Sequence, residues 1–133
     1  MIATAAEKNF ENRVKKFLKD RGSYFIKYWG GAAYTKSGIP DILACCNGQF
    51  MGIEVKAPKG KPSELQIYNL RQIDQAGGLA ILLYPDDFER FKELVETVQE
   101  YGDRARGMMC YTVLVEKWKH FENKFNQERN ERL

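Results

Sequence analysis

Two short apolar runs, ILACC and QFMGIEV, meet at Asn47-Gly48. Asn-Gly between such runs is the strongest short-range signal for a β-hairpin, because both central residues of a two-residue turn need positive φ. The signal predicts strands over 39–46 and 49–57. A two-residue turn also fixes their register, so that Cys46 faces Gln49, Leu43 faces Gly52 and Asp41 faces Glu54.

Direct cross-strand partners hold their Cβ atoms roughly 4.5–5.5 Å apart, and like charges there destabilise a sheet unless something offsets them. A divalent cation would. Two carboxylates with water and substrate oxygens suit Mg²⁺ or Mn²⁺, hard ions that often take only one or two protein carboxylates. Alternation puts Lys56 on the face of Asp41 and Glu54, while Ile42, Ala44, Ile53 and Val55 point to an apolar face fit for a core. Lys56 there suits orienting or deprotonating a metal-bound water, or neutralising charge on a phosphoryl transition state. Gly52, opposite Leu43, leaves room beside the acids. The plain alternative is a solvated strand face on which Lys56 makes an ordinary ion pair worth ~0.2–1 kcal/mol.

The rest of the chain reads as elements around this hairpin. Over Ala3 to Arg21, Phe10, Val14, Phe17 and Leu18 form a helical stripe that Gly22 ends. Glu7 and Glu11 lie at the edge of that stripe, and either can reach the sheet; Glu11 can equally pair with Lys15 one turn on. SYFIKYW, 23–29, reads as a strand running into the loop GGAAYTKSG. After PKGKP, Ser63 and Gln66 make a capping box for a helix through Gln75. Gln66 is therefore contested between capping and the acidic face. LAILLY, 79–84, is a buried strand. Asp86 with Glu89 caps a helix carrying Phe88, Phe91, Leu94, Val95 and Val98. MMCYTVLV, 108–115, reads as one more strand, and the C-terminal segment as a helix with Trp118, Phe121 and Phe125 on one face. That face suits packing on the chain's own core more than closing a dimer. The sum is an α/β fold, a mixed β-sheet flanked by helices, in one domain over 1–133.

Charge is uneven along this frame. Residues 1–62 carry 11 Lys/Arg against 5 Asp/Glu, whereas the remaining 71 carry 10 against 13, so the basic half holds the hairpin. An anionic partner is expected there. Lys27, Lys36, Lys59 and Lys61 surround the motif and can track a phosphate backbone. Tyr28, Trp29 and Tyr34 can stack on a base, although strand aromatics more often serve the core. Three cysteines without CxxC spacing argue for a reducing, cytoplasmic setting and against structural zinc, and a single histidine, His120, excludes a His-pair metal site. No apolar run reaches the ~20 residues of a membrane span.

Pro40-Asp41 followed by Glu54-Val55-Lys56 resembles the signature of the PD-(D/E)XK nucleases, whose fold is restriction-endonuclease-like. The order Glu11, Gly22, Lys27, Gly38-Ile39-Pro40-Asp41, Glu54-Val55-Lys56-Ala57-Pro58, Gln66, Gly77 is similar to the VRR-NUC branch, over residues 7 to about 84. The resemblance implies a core in which Asp41, Glu54 and the Val55 carbonyl hold Mg²⁺, Lys56 serves the attacking water and Glu11 supplies an outer acid. Gln66 and Lys27 would support the site or bind phosphate. Proteins of this branch, often viral, resemble Holliday junction resolvases, which implies branched DNA as substrate, a homodimer, and the cytoplasm of a bacterial or virus-infected cell. Flaps, single strands or duplex ends are the alternative substrates, and a catalytically inert nucleic-acid-binding module is the alternative from another class. Residues 85–133 add a helix, a strand and a C-terminal helix outside the resemblance.

Overall fold

A computed structural model describes residues 3–30 and 36–133. Tyr34 and most of the loop around it lie outside the described residues. The elements run α1 (Ala5–Asp20), β1 (Tyr24–Lys27), β2 (Ile42–Cys46), β3 (Gln49–Val55), α2 (Glu64–Gln75), β4 (Leu79–Leu83), α3 (Phe88–Tyr101) and α4 (Met109–Glu131), with 3₁₀ turns at Pro85–Asp87 and Gly102–Gly107. The four strands form one mixed sheet in the order β1-β2-β3-β4, antiparallel except for the parallel pair β3–β4 that α2 connects. This is the mixed α/β sheet expected of a restriction-endonuclease-like fold.

The hairpin register is the predicted one: Cys46 pairs with Gln49, Leu43 with Gly52 and Ile42 with Ile53. Asn47 and Gly48 have φ of 46° and 78°, as a type I′ turn requires. Asn47 has a second task that no local pattern announces. Its amide donates to the carbonyls of Val98 and Gln99, both at 3.1 Å, and so ties the turn to the end of α3.

Ile42, Ala44, Met51, Ile53 and Val55 are buried, and α1 and α3 pack together on their side of the sheet through Phe10, Phe17, Phe88 and Phe91. On the other side α2 covers β3 and β4. There Ile73 closes the room expected at Gly52, where a Cβ would stand 2.5 Å from its Cδ1 and 3.2 Å from Pro40 Cγ. Gly52 is thus a close-packing position for the α2 helix and opens no space beside the acids.

Two other expectations fail at the C-terminal side. The run 108–115 is helical: α4 begins at Met109, and Tyr111, Leu114, Val115 and Trp118 are its buried stripe, at i, i+3, i+4 and i+7. An apolar run of eight residues fits strand and buried helix alike, and here the longer period decides. α3 begins after the turn at Pro85–Asp87, without a side-chain cap from Asp86 or Asp87. Pro85 starts that turn early, and Asp87 instead lies 3.3 Å from Lys117 on α4.

α4 lies along the outer edge of β4. Tyr111 Oη accepts from the Ala80 N–H at 2.9 Å, and Trp118 Nε1 donates to the Ala80 carbonyl at 2.9 Å. Trp118 is fully buried, with Phe121 and Phe125 packed against the core beside it. Of the cysteines only Cys46 is buried; Cys45 is exposed. No helix among the described residues is long and apolar enough to cross a membrane.

Candidate active site

Both acids of the hairpin come to the end of the sheet where β3 and β4 finish. β2 begins at Ile42, so Asp41 stands one residue outside the β2–β3 ladder rather than within it. Its carbonyl extends the β1 side, accepting from the Tyr28 N–H at 2.8 Å, while its carboxylate Oδ2 accepts the Val55 N–H at 2.8 Å. The side chain therefore takes the place of a ladder bond, and this still leaves the Asp41 and Glu54 carboxyl groups in hydrogen-bonding contact. Gly38 sets the approach to Asp41: its φ is +80°, and a Cβ there would meet Leu65 Cγ at 2.6 Å. The first position of GxPD is thus restricted by backbone conformation and by α2.

Glu54 is 3 % exposed. Burial, the Asp41 charge and the shared hydrogen bond push its carboxyl up to about 9, with Lys56 opposing and Glu7 reinforcing the shift. Without a cation Glu54 holds its proton at neutral pH. Glu54 Oε1 is buried with no hydrogen-bond partner. An unpaired buried carboxylate oxygen costs free energy on the order of 1–3 kcal/mol unless a ligand satisfies it, and a cation is the ligand that also displaces the Glu54 proton. Among the described residues no three His, Cys, Asp or Glu side chains converge into a ready metal cage. A two-carboxylate site is the kind Mg²⁺ uses when water and phosphate complete its shell.

Lys56 is also buried. Its Nζ donates to Gln66 Oε1 at 3.0 Å and lies 3.7 Å from Glu54 Oε2. Gln66 does both of the jobs contested for it. Its carbonyl oxygen accepts from Lys56 and from the Ser63 N–H, 2.9 Å away, because that oxygen has two lone pairs, and its amide nitrogen donates to Glu54 Oε2 at 3.3 Å. The capping box of α2 and the orientation of Lys56 are one arrangement.

The helix-one acids approach from the other side of the sheet. Glu11 Oε1 accepts from Lys27 Nζ at 2.6 Å, and Oε2 lies 3.3 Å from Lys15, the pairing expected at one helical turn. Lys27 continues to Asp41 Oδ1 at 3.5 Å. Burial pulls the Lys27 ammonium down, but the Glu11 hydrogen bond and the Asp41 charge outweigh it and raise it. Glu11 is therefore linked to Asp41 through a lysine, and Lys27 is engaged by acids rather than facing solvent. Glu7 is the helix-one acid that feels the hairpin directly: burial first, then the Asp41 charge, raise its carboxyl. The pattern Thr4-x-x-Glu7 marks this helix start, and Thr4 Oγ1 does accept the Glu7 N–H at 3.1 Å. Lys36, Lys59 and Lys61 are exposed, the last two on the turn that follows Lys56.

A mixed sheet carrying Pro-Asp at a strand start and Glu-x-Lys at the end of the next, with a helical glutamine holding the lysine, defines a PD-(D/E)XK nuclease core. The family model described as "Archaeal holliday junction resolvase (hjc)" matches residues 4–76, more than half of the 133. The chain belongs to that family, a member of the PD-(D/E)XK superfamily of nucleases, a family whose chemistry is hydrolytic and in general dependent on a divalent metal. No curated protein and no solved structure matches it.

Proposed function

We propose that the chain is a Mg²⁺-dependent endodeoxyribonuclease, with Mn²⁺ able to substitute, that hydrolyses phosphodiester bonds in branched DNA and works as a homodimer on four-way junctions. The observation that carries this reading is the Asp41–Glu54 pair, with its orphaned Oε1, beside a buried lysine held by Gln66. Asp41, Glu54 and the Val55 carbonyl would hold the cation. When bound, it supplies an acidified water and positive charge for the phosphate oxygens.

This chain's own residues do the rest. Lys56, confined by Gln66 and Glu54, presents an ammonium to the attacking water or to the developing charge at phosphorus. Glu11 and Lys27 brace Asp41 from the α1 side. Lys36, Lys59 and Lys61 meet the DNA backbone. Gly38–Asp41 and Lys56–Pro58 support placing the chain near the VRR-NUC branch. Residues 1–133 act as one nuclease domain. The homodimer reading draws support from the apolar sheet face formed by Tyr24, Ile26, Leu43 and Phe50, which no helix among the described residues covers.

Asp41→Asn and Lys56→Ala should each abolish Mg²⁺-dependent cleavage of a four-way junction while leaving junction binding intact. Cutting at wild-type rate by both variants would end the assignment. Faster cutting of flaps, single strands or duplex ends than of junctions would replace the substrate class. Binding without cleavage of any DNA by the wild type would favour an inert module.

A further inference from the structure

The end of β4 and the helix α4 lie beyond the family match, which stops at residue 76, yet they complete a notch next to the candidate active site. After Lys56 the chain turns back, with the Gly60 N–H donating to the Ala57 carbonyl at 2.9 Å. Tyr84 Oη donates to the Gly60 carbonyl at 2.7 Å and ties that turn to the end of β4. The notch that results is about 470 Å³ and is lined by Lys59, Lys61, Tyr84, Lys117, His120 and Phe121, with Asp86 also in its wall. Its size falls within the ~300–1,000 Å³ of clefts that hold small ligands.

Its chemistry is cationic and aromatic. Lys59 and Lys61 are exposed and have no carboxylate partner among the described residues. Lys117 Nζ lies 3.3 Å from Asp87 and 5.4 Å from the centroid of the Tyr84 ring. Three lysines against Asp86 and Asp87 leave a positive balance. The rings of His120 and Phe121 stand edge to face with centroids 5.6 Å apart, His120 exposed at the helix surface. Ammonium groups beside planar side chains are what a nucleotide meets on a single-strand groove: charge for the phosphate, ring faces for the base or sugar.

We propose that this notch holds a nucleotide of the DNA strand that leaves the candidate active site. Its phosphate sits on Lys59, Lys61 and Lys117, and its base or deoxyribose lies against His120 and Phe121. The inference rests on the nuclease reading for the direction of the strand. Three residues of chain separate Lys56 from Lys59, at most ~11 Å. That is about three base steps at ~3.4 Å each, so one strand can touch both.

The test is binding of a fluorescently labelled four-way junction to the chain in EDTA, followed by anisotropy across a salt series. His120→Glu puts a carboxylate in the notch from an exposed position and should raise Kd about tenfold. Lys117→Gln should raise Kd about three- to tenfold and lower the slope of log K against log salt by about one. Thr112→Glu, an exposed position near the start of the same helix, should stay within twofold of wild type. Kd values within twofold of wild type for His120→Glu and Lys117→Gln would overturn the proposal, as would an equal loss in Thr112→Glu. Should Lys117→Gln unfold by freeing Asp87, His120→Glu decides alone. Binding in EDTA reads the notch independently of catalysis, so a wild type that binds but never cuts would sink the nuclease reading and leave the notch to be judged on these Kd values.

Discussion

Glu54 concentrates the conflict between folding and chemistry in one side chain. It is buried beside Asp41, and its folded carboxyl titrates near 9 against an ordinary 4.5. Below about pH 4.5 both folded and unfolded chains hold the proton and the group costs nothing. As pH rises from about 4.5 towards 9, the unfolded chain releases its proton first, so stability falls steadily across that window. A bound cation replaces the proton and reverses the trend. In EDTA, urea unfolding should therefore show the wild type losing stability between pH 6 and pH 8.5, with Mg²⁺ restoring it. Glu54→Gln should lose little across that window, exceed the metal-free wild type in stability at pH 8.5, and be inactive. Equal pH slopes for the two proteins would refute this account of Glu54. The contact itself was legible from Asn47-Gly48 and a count of residues. The link from Glu11 to Asp41 through Lys27 was not, because Lys27 lies 16 residues from Glu11 in sequence, on another element.

At the scale of elements, most of the order was readable because each segment carried its own period or punctuation. The stripe of α1, the Ser63–Gln66 capping box and the continuous run of β4 each state their type locally. The exception, MMCYTVLV, is instructive. Its β-branched and aromatic content suits a fifth strand, and β4 does have a free edge. The edge is closed instead by helical side chains, since Tyr111 and Trp118, seven residues apart on α4, bring a hydroxyl and an indole N–H to the N–H and C=O of Ala80. Two polar-tipped aromatics do locally what a paired strand would do, and they protect the edge from other chains. Only the periodicity that continues through Trp118 could have told helix from strand. Trp118→Phe keeps the ring and removes the donor, leaving a buried carbonyl unpaired. It should cost about 1–3 kcal/mol in chemical denaturation with the far-UV circular dichroism unchanged. Wild-type stability in this variant would mean the edge is not sealed in this way.

For the whole molecule, the sheet is covered unevenly. α1 and α3 close one face, while α2 covers only the β3–β4 half of the other. On the open half, cross-strand register lines up Tyr24, Cys45 and Phe50 in one row and Ile26 with Leu43 in the next, next to Gly52 under Ile73. Tyr24 is 74 % exposed, Ile26 47 % and Phe50 46 %, and Leu65 and Tyr68 on α2 extend the apolar surface. Single exposed apolar residues need no explanation, but rows of them fixed by register on one sheet face mark an interaction surface. Asp41 and Glu54 lie at the end of this sheet where β3 and β4 finish, so a second copy seated on the open half would bring two acidic pairs into one assembly, as cutting symmetric strands of a junction requires. Sedimentation or light scattering at micromolar concentration should accordingly find a dimer. Ile26→Lys combined with Phe50→Lys should yield a folded monomer, since both side chains already face solvent in the protomer. That monomer should keep the Glu54-dependent pH response of stability and lose paired nicking of a four-way junction. A wild type that remains monomeric at tens of micromolar, or a double variant that still nicks both strands in one encounter, would remove the dimer from the mechanism and leave the nuclease core standing.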